Sequence, residues 1–212
     1  MLTFDLRTLS INHFTLTTAE VGLALRLHRK YSNVRFFEVD FPATQEVKRK
    51  ALKKRNLPDH NMSFVPVDFT HEEWTEKLSS HPGFKPELNT VFVAEGVLMY
   101  LTETEVRRAL SFMADVKAAH RSVAFTFMEM QSNGSISFRN SSPAVDKWLK
   151  IKGEVFRWGI KLAEIAPFLD SVGLRKVRIF DTGDFRQAYL RGRDLDNITL
   201  AEGECVCVAE KI

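Results

Sequence analysis

Three carboxylates in this chain stand where an apolar run gives way to a loop: Asp40 after "VRFFEV", Asp68 after "SFVPV" and Glu95 after "TVFVA". In open α/β sheets ligands lie outside the carboxyl ends of the strands, so acids at those points are candidates for binding. Asp40 ends the strand that would follow the first crossover. From there a carboxylate accepts both hydroxyls of a ribose, through charged hydrogen bonds of about 1.5–3 kcal/mol each. Glu38 shares the strand face but lies two residues deeper. A plainer role stays open for each acid. Asp40 could cap the helix that begins near Pro42, since Asp is a favoured N-cap. For Asp68 the capping role is already filled by Thr70, and Glu95 could be a buried acid with a structural partner.

The elements that must position these acids follow from the apolar pattern. Runs without alternation at "VRFFEV", "SFVPV", "TVFVAEGVLMYL" and "SVAFTF" read as strands covered on both faces in a parallel sheet. Helical patterns lie between them. Thr70 and Glu73, then Thr102 and Glu105, have the S/T-x-x-E spacing of a capping box. The first opens "HEEWTEKLSS", which stops at His81, Pro82 and Gly83; along the second helix Val106, Leu110 and Met113 form one apolar stripe. Strand alternating with helix means an α/β domain. A later helix carrying Ile165, Phe168, Leu169 and Val172 ends at Gly173, with Pro167 in its first turn. "RKVRIFDT" and "ECVCVAEK" follow with no crossover helix between them, which predicts an antiparallel pair closing one edge of the sheet. Residues 131–158 read as a polar insertion or lid over the carboxyl ends of the strands, within a single domain spanning residues 1–212.

Of the 212 residues, 44% are hydrophobic and 27% charged, enough apolar content for one sizeable core. A net charge of +3 is too mild to imply a nucleic-acid or membrane partner. Cys205 and Cys207 lie two apart, on one face of a strand, where a disulfide rarely forms; a reducing compartment is the simpler reading. The opening "MLTFDLRTLSINHF" has no signal-peptide core, and no run approaches the roughly 18 apolar residues of a membrane span. These features read as a soluble cytoplasmic protein. No Cys/His spacing suits zinc, and no metal is expected.

"FFEVDFPATQEVKRKAL", "FVPVDFTHEEW" and "TVFVAEGVLMYLTETEV" resemble three consecutive motifs of the leucine carboxyl methyltransferase-like family, in order and in spacing. "GEVFRWGI", residues 153–160, is similar to a later family segment. The resemblance covers about residues 26–212. It implies a Rossmann-like class I methyltransferase fold, mainly parallel with a C-terminal antiparallel strand, and S-adenosyl-L-methionine as cofactor. It also implies that Asp40 binds the ribose, that Asp68 and Phe69 hold the adenine, and that Glu95 faces the methionine part. The acceptor is then a small molecule or peptide terminus, methylated on a carboxylate or hydroxyl.

One segment departs from the family pattern. Where the family has a glycine-rich loop running from the first strand into a helix, this chain offers "FTLTTAEVGLALRLHRKY", with only Gly22. The backbone must approach the cofactor closely there, which is what glycine allows. The resemblance also leads one to expect a helical leader before the loop, and the opening residues read as lacking it. A gap at the first strand would leave two rows of buried backbone groups unpaired, so "NHFTLTT" is expected to fill it, unless the chain is a shortened product of a longer gene. The departure predicts weak cofactor binding and keeps open a second function: a catalytically impaired, binding or regulatory protein on the same fold.

A carboxylate acceptor needs no general base at pH 7, whereas a hydroxyl usually does. None of His28, His60, His71, His81 and His120 falls at a strand's carboxyl end, so no catalytic base is assigned. The acceptor is expected under the 131–158 insertion near Tyr100, itself more a core residue than a catalytic one. "KRKALKKR", residues 48–55, reads as the solvated face of a helix. A nicotinamide-dependent oxidoreductase would share the acid after the second strand but would want GxGxxG, which is absent.

Overall fold

The computed structural model describes residues 11–17, 23–54, 60–68, 74–152, 155–192, 195 and 197–211. At its centre is one mixed sheet. In chain order its strands are β1 (Ile11–Thr17), β2 (Val34–Asp40), β3 (Met62–Pro66), β4 (Asn89–Glu95), β5 (Arg121–Glu129), β6 (Gly159–Ile160), β7 (Leu174–Phe180) and β8 (Glu204–Lys211). Across the sheet they run β3-β2-β1-β4-β5-β8-β7, with the short β6 beside β5. Strands β1 to β5 pair in parallel.

The described part of "NHFTLTT", up to Thr17, does fill the central position. β1 pairs with β2 from Ile11↔Val34 to Leu16↔Val39, and with β4 from Ile11↔Asn89 to Thr17↔Glu95. The closing strands are antiparallel to one another, as their missing crossover predicts. The pair closes one edge of the sheet, as expected. β8 inserts between β5 and β7, antiparallel to both, and β7 becomes the edge. The reason is hydrophobic: Cys205, Cys207 and Ala209 of β8 are fully buried, whereas Arg175, Lys176, Val177 and Arg178 of β7 are exposed. A bulge between Lys176 and Arg178 breaks the β7 register.

Helices α1 (Leu23–Leu27) and α2 (Pro42–Lys54) follow β1 and β2 and cover one sheet face. Ala24 there packs with Val34 and Phe36. Helices α3 (Trp74–Ser79), α4 (Glu103–Asp115) and α6 (Ile165–Asp170) cover the other. That side holds the larger core, in which Phe37, Phe92, Phe125 and Phe127 of the strands meet Trp74, Leu110 and Phe168 of the helices. α4 starts at a complete capping box of Thr102 and Glu105, and its Val106, Leu110 and Met113 are buried as their spacing predicts. Gly173 closes the turn after α6 at φ 79°, the left-handed conformation that favours glycine. The proposed box of Thr70 and Glu73 lies outside the described residues.

Coverage differs from the expectation in one respect. β2 is buried on both faces, but β4 and β8 alternate between buried and half-exposed. α1 and α2 extend over β1 and β2, and Val91 and Val93 on the same face of β4 keep partial exposure. Neither α5 (Pro143–Lys152) nor α7 (Thr182–Phe185) changes this order of layers. No helix among the described residues is long and apolar enough to cross a membrane.

Candidate functional site

Parallel strands β3, β2, β1 and β4 are neighbours, so their carboxyl ends form one rim. Asp40 and Glu95 are the last residues of β2 and β4 and flank Thr17, the last residue of β1. Cross-strand partners share a face, so both acids stand on the α1/α2 side, two strand spacings or about 10 Å apart. Asp68 follows β3 on the same rim, where the Val67 N–H donates to the Asp40 carbonyl at 2.9 Å. Phe69 lies outside the described residues, as does most of "TTAEVGLAL".

Asp40 is fully buried and its carboxylate is engaged. Its Oδ2 accepts from Lys48 Nζ at 2.8 Å, and its Oδ1 accepts the Phe41 backbone N–H at 2.7 Å. That bond goes to the adjacent residue and not into the first turn of α2, so the plain capping role is not the one Asp40 plays. Lys48 also donates to Glu38 Oε1 at 2.6 Å, and Glu38 is as buried as Asp40. Burial pulls the Lys48 ammonium down, but its bonds to Asp40 and Glu38 outweigh that and hold it above the ordinary lysine value. No donor among the described residues reaches Glu38 Oε2.

Lys48 corrects the reading of "KRKALKKR" as a wholly solvated face. Its neighbours Arg49 and Lys50 are exposed, but Lys48 itself is 9% exposed. The signal was its phase: Gln45, Lys48 and Leu52 lie three and four residues apart, and all three are buried on α2. Gln45 completes the seam, since its Nε2 donates to the Glu38 carbonyl at 2.6 Å and to the Val65 carbonyl at 3.0 Å.

On the other side of Glu95 the rim continues through Thr126 of β5 and Glu204 of β8. Ala94 pairs with Phe125 and Met128 with Glu204, which brings Glu95, Thr126 and Glu204 to the same face. Gly96 turns the chain after Glu95 at φ 66°, and its N–H donates to Thr126 Oγ1 at 2.9 Å. The Thr126 hydroxyl in turn donates to Glu204. Burial pushes the Glu204 carboxyl above the usual range; the Thr126 bond opposes this, and the negative charge of Glu95 adds to it.

The insertion contributes at this end. The Arg139 N–H donates to the Glu202 carbonyl at 2.8 Å, and the Arg139 side chain stands 3.1 Å from Glu129 as a charge contact without an aligned hydrogen bond. Tyr100 is half-buried, its ring 5.6 Å from Phe156, which lies 5.4 Å from Phe138. Sequence reasoning reached Tyr100 but missed these two aromatics and Glu204, because single residues in a polar segment or an alternating strand give no periodic signal. His28 and Asn61 hold the opposite, amino end of the strands, where Asn61 Nδ2 donates to the Val34 carbonyl at 3.0 Å. No metal-binding group of His, Cys, Asp or Glu occurs among the described residues.

The family model described as Leucine carboxyl methyltransferase matches residues 22–114, which contain Asp40, Asp68 and Glu95. The "Putative S-adenosyl-L-methionine-dependent methyltransferase YktD" of Bacillus subtilis (strain 168) is 29% identical over 173 residues, 81% of this chain and 56% of that protein. Leucine carboxyl methyltransferase 1 of Candida albicans (strain SC5314 / ATCC MYA-2876) is 25% identical over 118 residues, 44% of this chain and 32% of that protein. The chain therefore spans about half the length, or less, of these curated relatives. Among solved structures, the magnesium protoporphyrin IX methyltransferase ChlM of Synechocystis PCC 6803, determined with SAH bound, superposes with a TM-score of 0.53 at 14% identity, covering 98% of this chain and 76% of that one. By these matches residues 22–114 are similar to the leucine carboxyl methyltransferase family, and the chain carries the class I methyltransferase fold.

Proposed function

We propose that this chain is an S-adenosyl-L-methionine-dependent O-methyltransferase acting on a carboxylate or hydroxyl of a small molecule or peptide terminus. The observation that carries the reading is the rim itself: Asp40 and Glu95 end, and Asp68 follows, parallel strands of one rim within the segment the family model matches. The donor set fits a nucleoside. Each oxygen of Asp40 accepts one hydrogen bond and can accept a second, which leaves one lone pair on each for the two hydroxyls of a ribose. In this reading Asp68, with Phe69, holds the adenine and Glu95 faces the amino-acid part. The bound cofactor supplies an electrophilic methyl group, and the protein's share is orientation and exclusion of water. Tyr100, Phe138 and Phe156 are the surfaces against which an acceptor would lie, beneath the 131–158 lid.

Calorimetric titration with S-adenosyl-L-methionine and S-adenosylhomocysteine tests the reading. Binding that is lost in both Asp40→Asn and Glu95→Gln supports it, and no binding of either ligand to the folded wild-type chain defeats it. The second function, a binding protein without transfer, is favoured by "TTAEVGLAL", which has one glycine where a cofactor loop wants several. It predicts binding of adenosine as tight as that of the full cofactor.

A further inference from the structure

Two buried carboxylates and one ammonium make an uncommon cluster, and its geometry is lopsided. Lys48 bridges Glu38 at 2.6 Å and Asp40 at 2.8 Å, leaving one negative charge uncompensated by any cation of the cluster. Glu38 spends one oxygen on Lys48, and among the described residues its other oxygen has no donor although the residue is fully buried. A cluster built for stability alone would pair one acid with one base and satisfy every oxygen. Here Glu38 holds Lys48 from below. Lys48 and the Phe41 N–H then grip Asp40 from two sides, one at each oxygen.

We propose that Lys48, anchored by Glu38, is a positioning residue for ribose recognition. It fixes the Asp40 carboxylate in one orientation, held at both oxygens. The inference rests on the nucleoside reading of the rim and adds to it the residue that sets specificity for ribose over deoxyribose. A carboxylate free to rotate would still attract a cofactor, but it would not present two acceptors to a diol at the same time. Preorganisation of this kind acts on the hydroxyls alone, because Lys48 bonds neither Asp68 nor Glu95.

The test compares S-adenosylhomocysteine with its 2′-deoxyribose analogue by calorimetry. For the wild-type chain the ribose ligand is expected to bind at least about tenfold more tightly, the worth of one charge-assisted hydrogen bond. In Lys48→Met that ratio is expected to fall to within about threefold of one, with the deoxyribose ligand binding much as before. Lys48→Met leaves two unpaired buried acids, so the doubly substituted Glu38→Gln, Lys48→Met chain is measured beside it. The double variant keeps the wild-type cluster charge without the grip on Asp40, and the same loss of discrimination is expected. A folded variant of either kind that keeps the wild-type ratio overturns the positioning role. A wild-type chain that binds both ligands equally overturns the ribose assignment of Asp40, and one that binds neither overturns the nucleoside reading and this inference with it.

Discussion

Thr126 Oγ1 accepts the Gly96 N–H at 2.9 Å, tying the turn after β4 to the strand beside it. Thr126 is 8% exposed, so water does not replace that bond. Thr126→Val keeps the shape and removes both the acceptor for Gly96 and the donor to Glu204. Denaturant unfolding is expected to show a loss of about 1–3 kcal/mol, two lost hydrogen bonds at about 0.5–1.5 kcal/mol each. Wild-type stability would show that the turn holds without it.

Glu204 carries a pH signature of definite sign. Its carboxyl in the fold is raised above the usual value, chiefly by burial, so the folded chain holds that proton to higher pH than the unfolded one does. Its contribution to stability therefore falls as pH rises from the unfolded value of about 4.3 through the folded value, and stays low at neutrality. Glu204→Gln removes this loss. The variant is expected to melt above wild type at pH 7 and to match it at pH 4 and below. A gap that widens on acidification would contradict the sign.

The thiols of Cys205 and Cys207 are both unpaired and buried on β8. Burial pushes Cys205 up to about 11 and Cys207 up to about 12, so neither forms a thiolate at pH 8. Alkylation by iodoacetamide at pH 8 is expected to be slow in the native chain and fast in denaturant, read by mass spectrometry. Rapid native labelling of Cys207 would mean that the β5–β8 pairing opens readily.

Leu110 sits fully buried at the centre of the α4 stripe. Leu110→Ala is expected to cost about 2–5 kcal/mol, combining lost transfer energy with a cavity that the phenylalanine-rich core cannot refill. A smaller loss, measured by denaturant unfolding, would show that Phe92 and Phe112 repack into the gap.

How legible all this was depended on the range of the interaction. The run at 34–40 announced a strand because burial acts on consecutive residues, and Thr102 with Glu105 announced a helix start because a cap is local. The acids at the strand ends were legible for the same reason. The seat of β8 inside the sheet was not, since pairing between Phe125 and Cys207 is a choice between residues 82 positions apart. Lys48 was hidden by its neighbours: in a run of six basic residues out of eight a lysine looks solvated, and only its helical phase with Gln45 and Leu52 sets it apart. Phe69 and the segment after β1 lie outside the described residues, and their roles rest on the family resemblance.

The bulge between Lys176 and Arg178 has a meaning for the chain in company. A flat edge strand offers its free N–H and C=O groups to any passing strand, and β7 is an edge. The bulge puts its backbone out of step, and Arg175, Lys176 and Arg178 beside it would bring like charges together in any β7-to-β7 contact. At the far edge β3 is only five residues long and ends on Pro66, which has no N–H to offer. Both borders of the sheet thus refuse a continuing strand, which protects a concentrated solution of the folded chain from growing sheet upon sheet into fibres.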